Sequence, residues 1–301
     1  MLRALERSLR EAGFQTATLE EGRVLFNLAA VRGDRKIFVK VVENVDSVRK
    51  STLLELAETA RRLEAEAFLV APREAKGPLL DGTLYRRYGI PAMSPRTFLE
   101  YVTEDVLPAA EARKGGVYVP IDGEVLRSLR EEKGISLGSL SRALGVSRRT
   151  ILKYEEGMDA TPEVALRLVE IFGPSVLRGA RPTLEEPPGD LGRRLQAGEE
   201  LLRRILELGL EVFYSGRRPL EMIASSRGRR MIANICVKKG IVEKARMIKK
   251  FGSLMQEPHA LLMRDRMGRK RAYGVPLLDL EDLQDLERGE ELWEIISERA
   301  P

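Results

Sequence analysis

Three basic side chains, Arg148, Arg149 and Lys153, fall within one short stretch, SRRTILKYEEG, that a serine opens and a glycine closes. If the stretch is a helix, the two arginines project from its first turn, and Lys153, one turn beyond Arg149, shares that residue's face. An arginine fork matches the O6 and N7 acceptors of guanine bidentately, so Arg148, Arg149 and Lys153 are candidates for reading base edges. Arg130, Arg142, Ser147 and Thr150 are candidates for phosphates, contacts that set register without reading sequence. Little else offers chemistry. A lone cysteine, Cys236, and a lone histidine, His259, are too few for a Cys/His zinc site or a disulfide within the chain. A catalytic thiol pair would require these two to meet.

The elements that must position the basic residues are helices. Val125, Leu126 and Leu129 form an apolar stripe that stops at Gly134. Ser136 can cap a second helix containing Leu137, Leu140 and Leu144, which Gly145 ends, and Ser147 can cap a third with Ile151 and Tyr154 inward. A fourth starts at Pro162 and is expected to bury Val164, Leu168 and Ile171. Two short helices joined by a tight glycine turn make a helix-turn-helix, which offers its second helix to the DNA major groove. The string GISLGSLSRALGVSRRTILKYEEG resembles the Cro/C1-type family of that motif. Gly134, Ile135, Leu140, Leu144, Gly145, Val146, Ser147, Ile151, Glu155 and Gly157 fall where the family places core, turn or helix-stop residues. Leu137 departs from it, standing where many members have a phosphate-contacting glutamine, and Ser141 replaces the usual alanine. Residues 124–172 hold eight basic and eight acidic side chains, so affinity for DNA must come from placement rather than bulk charge. Glu155 and Glu156 read as ordinary exposed charge.

Two segments rich in Pro and Gly, 107–123 and 173–189, read as seams around this unit. The segments outside them look alike. LREAGF, then VLFNLAAVRGDRKIFVKVV, AFLVAP and YGIPAMSPRTFLEYV are mirrored by ILELGL, PLEMIASSRGRRMIANICV, ALLMRD and YGVPLLDLEDLQDLE. Gly13 with Gly209, Arg35 with Arg229 and Val41 with Ile235 keep an offset near 195, which points to an internal duplication. Each copy reads as a helix, a hairpin turning at Gly33 or Gly228, a second helix and a further strand, with Ser94 or Asp279 capping the last helix.

That order resembles the restriction-endonuclease-like fold. The resemblance implies a carboxylate early in the hairpin and an acid-x-Lys in its second strand, holding Mg²⁺ against phosphate. The corresponding residues here are Asn27, Phe38 and Lys40 in the first copy and Glu221, Ile232 and Asn234 in the second. Neither copy has both carboxylates, so no metal site is expected, and Lys40, Glu43 and Glu221 read as solvated strand residues.

The formal charge is +5 with a pI near 9.3, 43% of residues are hydrophobic and 32% charged. No apolar stretch reaches the roughly 18 residues of a membrane span, and the amino terminus has no signal-like apolar core. Three Asn and four Gln in so charged a chain fit a thermophilic source. Between Arg203 and Arg271 the net charge is +12, and RGRR at 227–230, Lys238-Lys239 and Lys249-Lys250 suggest an auxiliary phosphate-contacting face. Residues 279–298 are net −8.

The expected fold class is α/β plus all-α, a helix-turn-helix bundle at 120–174 between two related restriction-endonuclease-like α/β domains, 1–106 and 190–301. The architecture resembles an archaeal family of helix-turn-helix (HTH-type) transcriptional regulators. That resemblance implies a cytoplasmic, sequence-specific regulator of double-stranded DNA, acting as a homodimer, without enzymatic activity, cofactor or membrane partner. A Mg-dependent nuclease targeted by the helix-turn-helix, and an adaptor bridging transcription proteins, are the alternatives.

Overall fold

Leu5 and Leu9, one turn apart and both buried, fold the first segment as α1 (Leu2–Glu11). It is followed by β1 (Gln15–Thr18), β2 (Leu28–Arg32), β3 (Arg35–Val41), α2 (Lys50–Arg62) and β4 (Glu66–Val70). Short β5 (Arg73–Glu74) and β6 (Gly77–Pro78) precede β7 (Thr83–Arg87), β8 (Ile90–Met93) and α3 (Pro95–Glu104). Then come β9 (Ala110–Arg113), β10 (Gly116–Tyr118) and four helices, α4 (Gly123–Glu132), α5 (Leu137–Leu144), α6 (Arg148–Glu155) and α7 (Pro162–Phe172). The last part holds α8 (Glu200–Glu207), β11 (Glu211–Tyr214), β12 (Met222–Ser226), β13 (Arg229–Cys236), α9 (Ile241–Met255), β14 (His259–Met263), β15 (Arg271–Ala272), β16 (Val275–Leu278), α10 (Leu280–Gln284) and α11 (Glu291–Arg299).

The computed structural model describes residues 1–19, 24–186 and 200–300. They divide into two units, one of Met1–Val41, Val48–Phe68 and the described part of Glu186–Pro301, the other of Val42–Ser47 and Leu69–Glu185. This differs from three domains joined at two seams. The segment expected as a first linker is the β9–β10 hairpin, with β9 paired in parallel to β7 and Ala110 and Val119 buried in the same core as the helices α4–α7. Glycine and proline there mark hairpin ends, not a loose connection. The described part of the second seam is also held, since Arg86 donates to the carbonyls of Thr183 (2.7 Å) and Arg181 (3.0 Å). Residues 187–189 of that seam, and 190–199 of the expected third domain, lie outside the described residues.

Equivalent strands of the two sequence copies pair alike. β1–β2 and β2–β3 are antiparallel, as are β11–β12 and β12–β13. β4–β8 is parallel and β7–β8 antiparallel, as are β14–β16 and β15–β16 respectively. Tyr88-Gly89 and Tyr273-Gly274 turn both β7–β8 and β15–β16 with positive φ at both central residues, the backbone of a type I′ turn. Ser94 and Asp279 cap α3 and α10 through the amides of Thr97 and Asp282, as expected. The first strand of each copy, β1 or β11, was not legible because QTAT and EVFY are short and lack period-two alternation.

Within the first unit the copies are joined through α9. Phe251 on α9 meets Phe26 edge-on at 5.6 Å, and Phe26 stacks on Phe38 at 4.3 Å. Two salt bridges are reciprocal: Lys36 reaches Glu257 after α9 (3.1 Å), and its equivalent Arg230 reaches Glu64 after α2 (3.0 Å).

Candidate nucleic-acid interface

Local capping residues set the helix starts: Asp122 for α4, Ser136 for α5, Ser147 for α6 and Thr161-Pro162 for α7. Gly145 adopts φ +70° at the end of α5, a conformation that costs a residue with a Cβ, so the chain reverses sharply there. Ser136 and Ser147 cap α5 and α6, each hydroxyl accepting from the amide three residues on at 3.1 Å. Arg167 on α7 donates to the Leu144 carbonyl (3.2 Å), holding the turn from behind. Leu126, Leu140, Leu144, Ile151, Tyr154, Ala160, Leu168 and Phe172 make the core. On α7 the inward residues are Ala165, Leu168 and Phe172; Val164 and Ile171, expected inside, are only partly buried because the helix is rotated by one position. Leu137 packs on this core, which explains its departure from the polar family residue.

Ile151 and Tyr154 hold one face of α6 in the core, and the opposite face presents Arg149, Leu152 and Lys153. Arg149, Lys153 and Arg142 are exposed and make no ion pair among the described residues. Arg148 is exposed too, but its guanidinium folds back over α5, lying 3.0 Å from where a Cβ on Gly138 would stand. The Ser147 and Thr150 hydroxyls bond each other at 2.8 Å at the amino end of α6.

Arg130 is a correction. It was expected at a phosphate, but its side chain is only 12% exposed and binds Glu155 at 2.5 Å, with a further bond to the Ile135 carbonyl. Glu155 is a second correction, since its carboxylate is 1% exposed and is an anchor between α4 and α6. Leu152, 41% exposed on the outer face of α6, was missed by reading charges alone.

Residues 126–175 match the family model described as Helix-turn-helix, and residues 1–108 match that of a PD-(D/E)XK superfamily domain. A Methanocella arvoryzae protein is 31% identical over 285 residues, covering 91% of this chain and 88% of that one. A Thermococcus kodakarensis protein is 30% identical over 301 residues (98% and 94%), and one from Methanoculleus marisnigri 33% over 283 (91% and 90%). All three bear the name "Putative HTH-type transcriptional regulatory protein". This chain belongs to that archaeal family. No solved structure matches it.

At two of the three hairpin positions singled out by the restriction-endonuclease-like resemblance, the side chains clamp the backbone. Asn27 accepts from the Val41 amide (3.1 Å), and its equivalent Glu221 accepts from the amide of the equivalent Ile235 (2.9 Å). Lys40 donates to the Val24 carbonyl (2.6 Å), and its counterpart Asn234 donates to the Pro219 carbonyl (2.9 Å). Phe38 and Ile232, the residues that the resemblance aligns with a second acid, are fully buried and apolar. Reading Lys40 and Glu221 as solvated is therefore wrong: Glu221 is buried against Lys244 (2.7 Å), and Lys40 is half-buried. Glu43, read in the same way, is exposed. Among the described residues no cluster of three or more His, Cys, Asp or Glu could hold a metal. Cys236 and His259 do not meet, because in the parallel register Cys236 sits beside Met263 while His259 sits beside Ile232. Burial pushes the Cys236 thiol up and the His259 imidazole down.

Burial, with Arg217 second, lowers the Lys40 pKa from 10.5 to about 8. The folded chain then loses this proton at lower pH than the unfolded chain, so stability relative to Lys40→Met should rise as pH climbs from about 8 to 10.5. Urea midpoints of the two proteins across that window are the measurement, and a constant difference would count against it.

Proposed function

We propose that the chain is a sequence-specific regulator of transcription that binds double-stranded DNA in the cytoplasm through α6. Arg149 and Lys153 read base edges, Leu152 offers an apolar contact to a thymine methyl, and Arg148 reaches a base only by swinging away from Gly138. Arg142, Ser147 and Thr150 set the register on phosphates. The observation that carries this reading is a helix fixed by Ile151, Tyr154 and Glu155 on one side while the basic residues opposite are unpaired among the described residues. Residues 1–106 and 190–301 are two restriction-endonuclease-like copies that flank the helix-turn-helix of 120–174 and lack catalysis. The PD-(D/E)XK match gives a nuclease reading its only support. Phe38 and Ile232, in the place of its second acid, speak against it.

A helix-turn-helix reads few bases alone, and partners usually set two recognition helices about one turn of DNA apart. Homodimerisation is therefore part of the proposal. No described helix is long and apolar enough to cross a membrane. Selection from random duplexes in the presence of Mg²⁺ tests all of this together. The retained DNA should be full-length and carry an inverted repeat. A non-repeating motif bound by one chain would refute the dimer, absence of any motif would refute sequence-specific reading, and cleavage lost in Lys40→Ala or Glu221→Ala would favour the nuclease.

A further inference from the structure

The basic stretch of residues 203–271 is mostly used inside the fold. In RGRR, Arg227 pairs with Glu290, Arg229 lies over the Trp293 ring, and Arg230 binds Glu64 and Glu257. Lys249 and Lys250 donate to the carbonyls of Tyr273 and Thr18. Arg266 pairs with Glu281, and Lys244 with Glu221. Of the cations without an ion pair among the described residues, Arg203 lies on α8, whereas Lys238, Lys239 and Arg269 follow the carboxyl ends of the parallel strands β13 and β14. Lys238 and Arg269, with Met267 and Gly268, line a cleft of about 470 Å³ there. Lys239 lines a second cleft, of about 260 Å³, together with Arg264 and the Lys244–Glu221 pair. Lys238, Lys239 and Arg269 are exposed and have no ion pair among the described residues. Asp265, the single acid in the loop RDRMGRKR, is half-buried and accepts from the Lys238 backbone amide at 2.8 Å.

The duplication supplies an internal comparison. With the hairpin offset of 194, the residues equivalent to Lys238 and Lys239 are Asn44 and Val45. Nearby in the first copy, Asp46 and Glu74 neutralise Arg87 at 2.7 Å each. The same fold thus carries Asn44 and Val45 in one copy where the other has Lys238 and Lys239, so these cations are not a requirement of the fold. Three positive groups around open clefts suit a ligand with regularly spaced single negative charges.

We propose that Lys238, Lys239 and Arg269 bind the phosphodiester backbone of duplex DNA, as a second contact independent of base sequence. This rests on the reading of the chain as a DNA-binding protein but not on α6 being the reader. The test compares the full chain with Lys238→Ala/Lys239→Ala/Arg269→Ala on a selected duplex and a random duplex of equal length, across a salt series. The variant should lose about tenfold on both at low salt, with the slope of log affinity against log salt shallower by about 0.9 for each phosphate contact removed. The ratio of selected to random affinity should not change. Arg149→Ala, run alongside, should change that ratio; if it does not while the triple variant still weakens both duplexes, base reading by α6 fails and this contact stands. Unaltered affinity and slope in the triple variant would overturn the proposal, as would a loss confined to the selected duplex. Lys238→Arg/Lys239→Arg keeps the charge and should bind as the parent does; an equal loss in this variant would also overturn it.

Discussion

Replacing Glu155 by alanine should cost about 3–5 kcal/mol of stability in the unit that contains the helix-turn-helix, the range seen when one partner of a buried ion pair is removed. Glu155 sits at the carboxyl end of α6, where the helix dipole disfavours an anion, so its burial depends on its partners. Arg130 on α4 supplies the main one at 2.5 Å, and Arg127 adds a longer contact at 3.3 Å. The approach of α4 to this point is close enough that a Cβ on Gly123 would lie 2.4 Å from the Glu155 carbonyl oxygen. Removing the carboxylate would leave Arg130, 12% exposed, with the Ile135 carbonyl and Glu131 as its remaining partners. The cost therefore comes mainly from a stranded guanidinium, and Glu155→Ala/Arg130→Met should recover a large part of it. Urea unfolding of the single and double variants decides. A single-variant loss under about 1 kcal/mol, typical of an exposed pair, would show that the bridge is not an anchor.

The contrast between Glu155 and Arg149 shows what the sequence made legible. Helix starts and stops were legible because serine caps and left-handed glycines act locally: Ser136, Gly145 and Ser147 perform the expected roles within a few residues of where they stand. The internal repeat was legible for a related reason, since Tyr-Gly at 88–89 and 273–274 encodes the same turn in both copies. Side-chain partnership was not legible, because it depends on residues far apart in the chain. Arg130 and Arg142 look equivalent as cations near a turn, yet Arg130 finds Glu155, 25 positions on, and Arg142 remains exposed. The same limit hid Lys40 and Glu221, read as solvated: Glu221 is buried against the Ile235 amide and Lys244, and Lys40 is half-buried against the Val24 carbonyl. Segment 107–123 failed for a different reason: its KGG turn was read as a linker when it closes a two-stranded hairpin.

Arg149→Ala should weaken binding to the selected site by about 1–3 kcal/mol and relax preference at one base position. Among the basic residues of α6, Arg149 is the one whose position most directly predicts this. Arg148 spends its reach on the space above Gly138, and Lys153 has the single ammonium of a lysine rather than a fork that matches two acceptors of one guanine. Arg149 shares the exposed face with Leu152 and Lys153, and Ile151 and Tyr154 keep that face from rotating inward. Arg142→Ala supplies the contrast. If it meets a phosphate, its loss should lower affinity for selected and random duplexes by similar factors, leaving base preference unchanged. The Arg149 effect should also be small on folding, since an exposed side chain without an ion pair among the described residues contributes little to stability. Equal losses on selected and random DNA for Arg149→Ala would remove it as a base reader and shift the assignment to Lys153 or Arg148. The corresponding Lys153→Ala and Arg148→Ala variants, measured on the same two duplexes, would then identify which of them changes the preference.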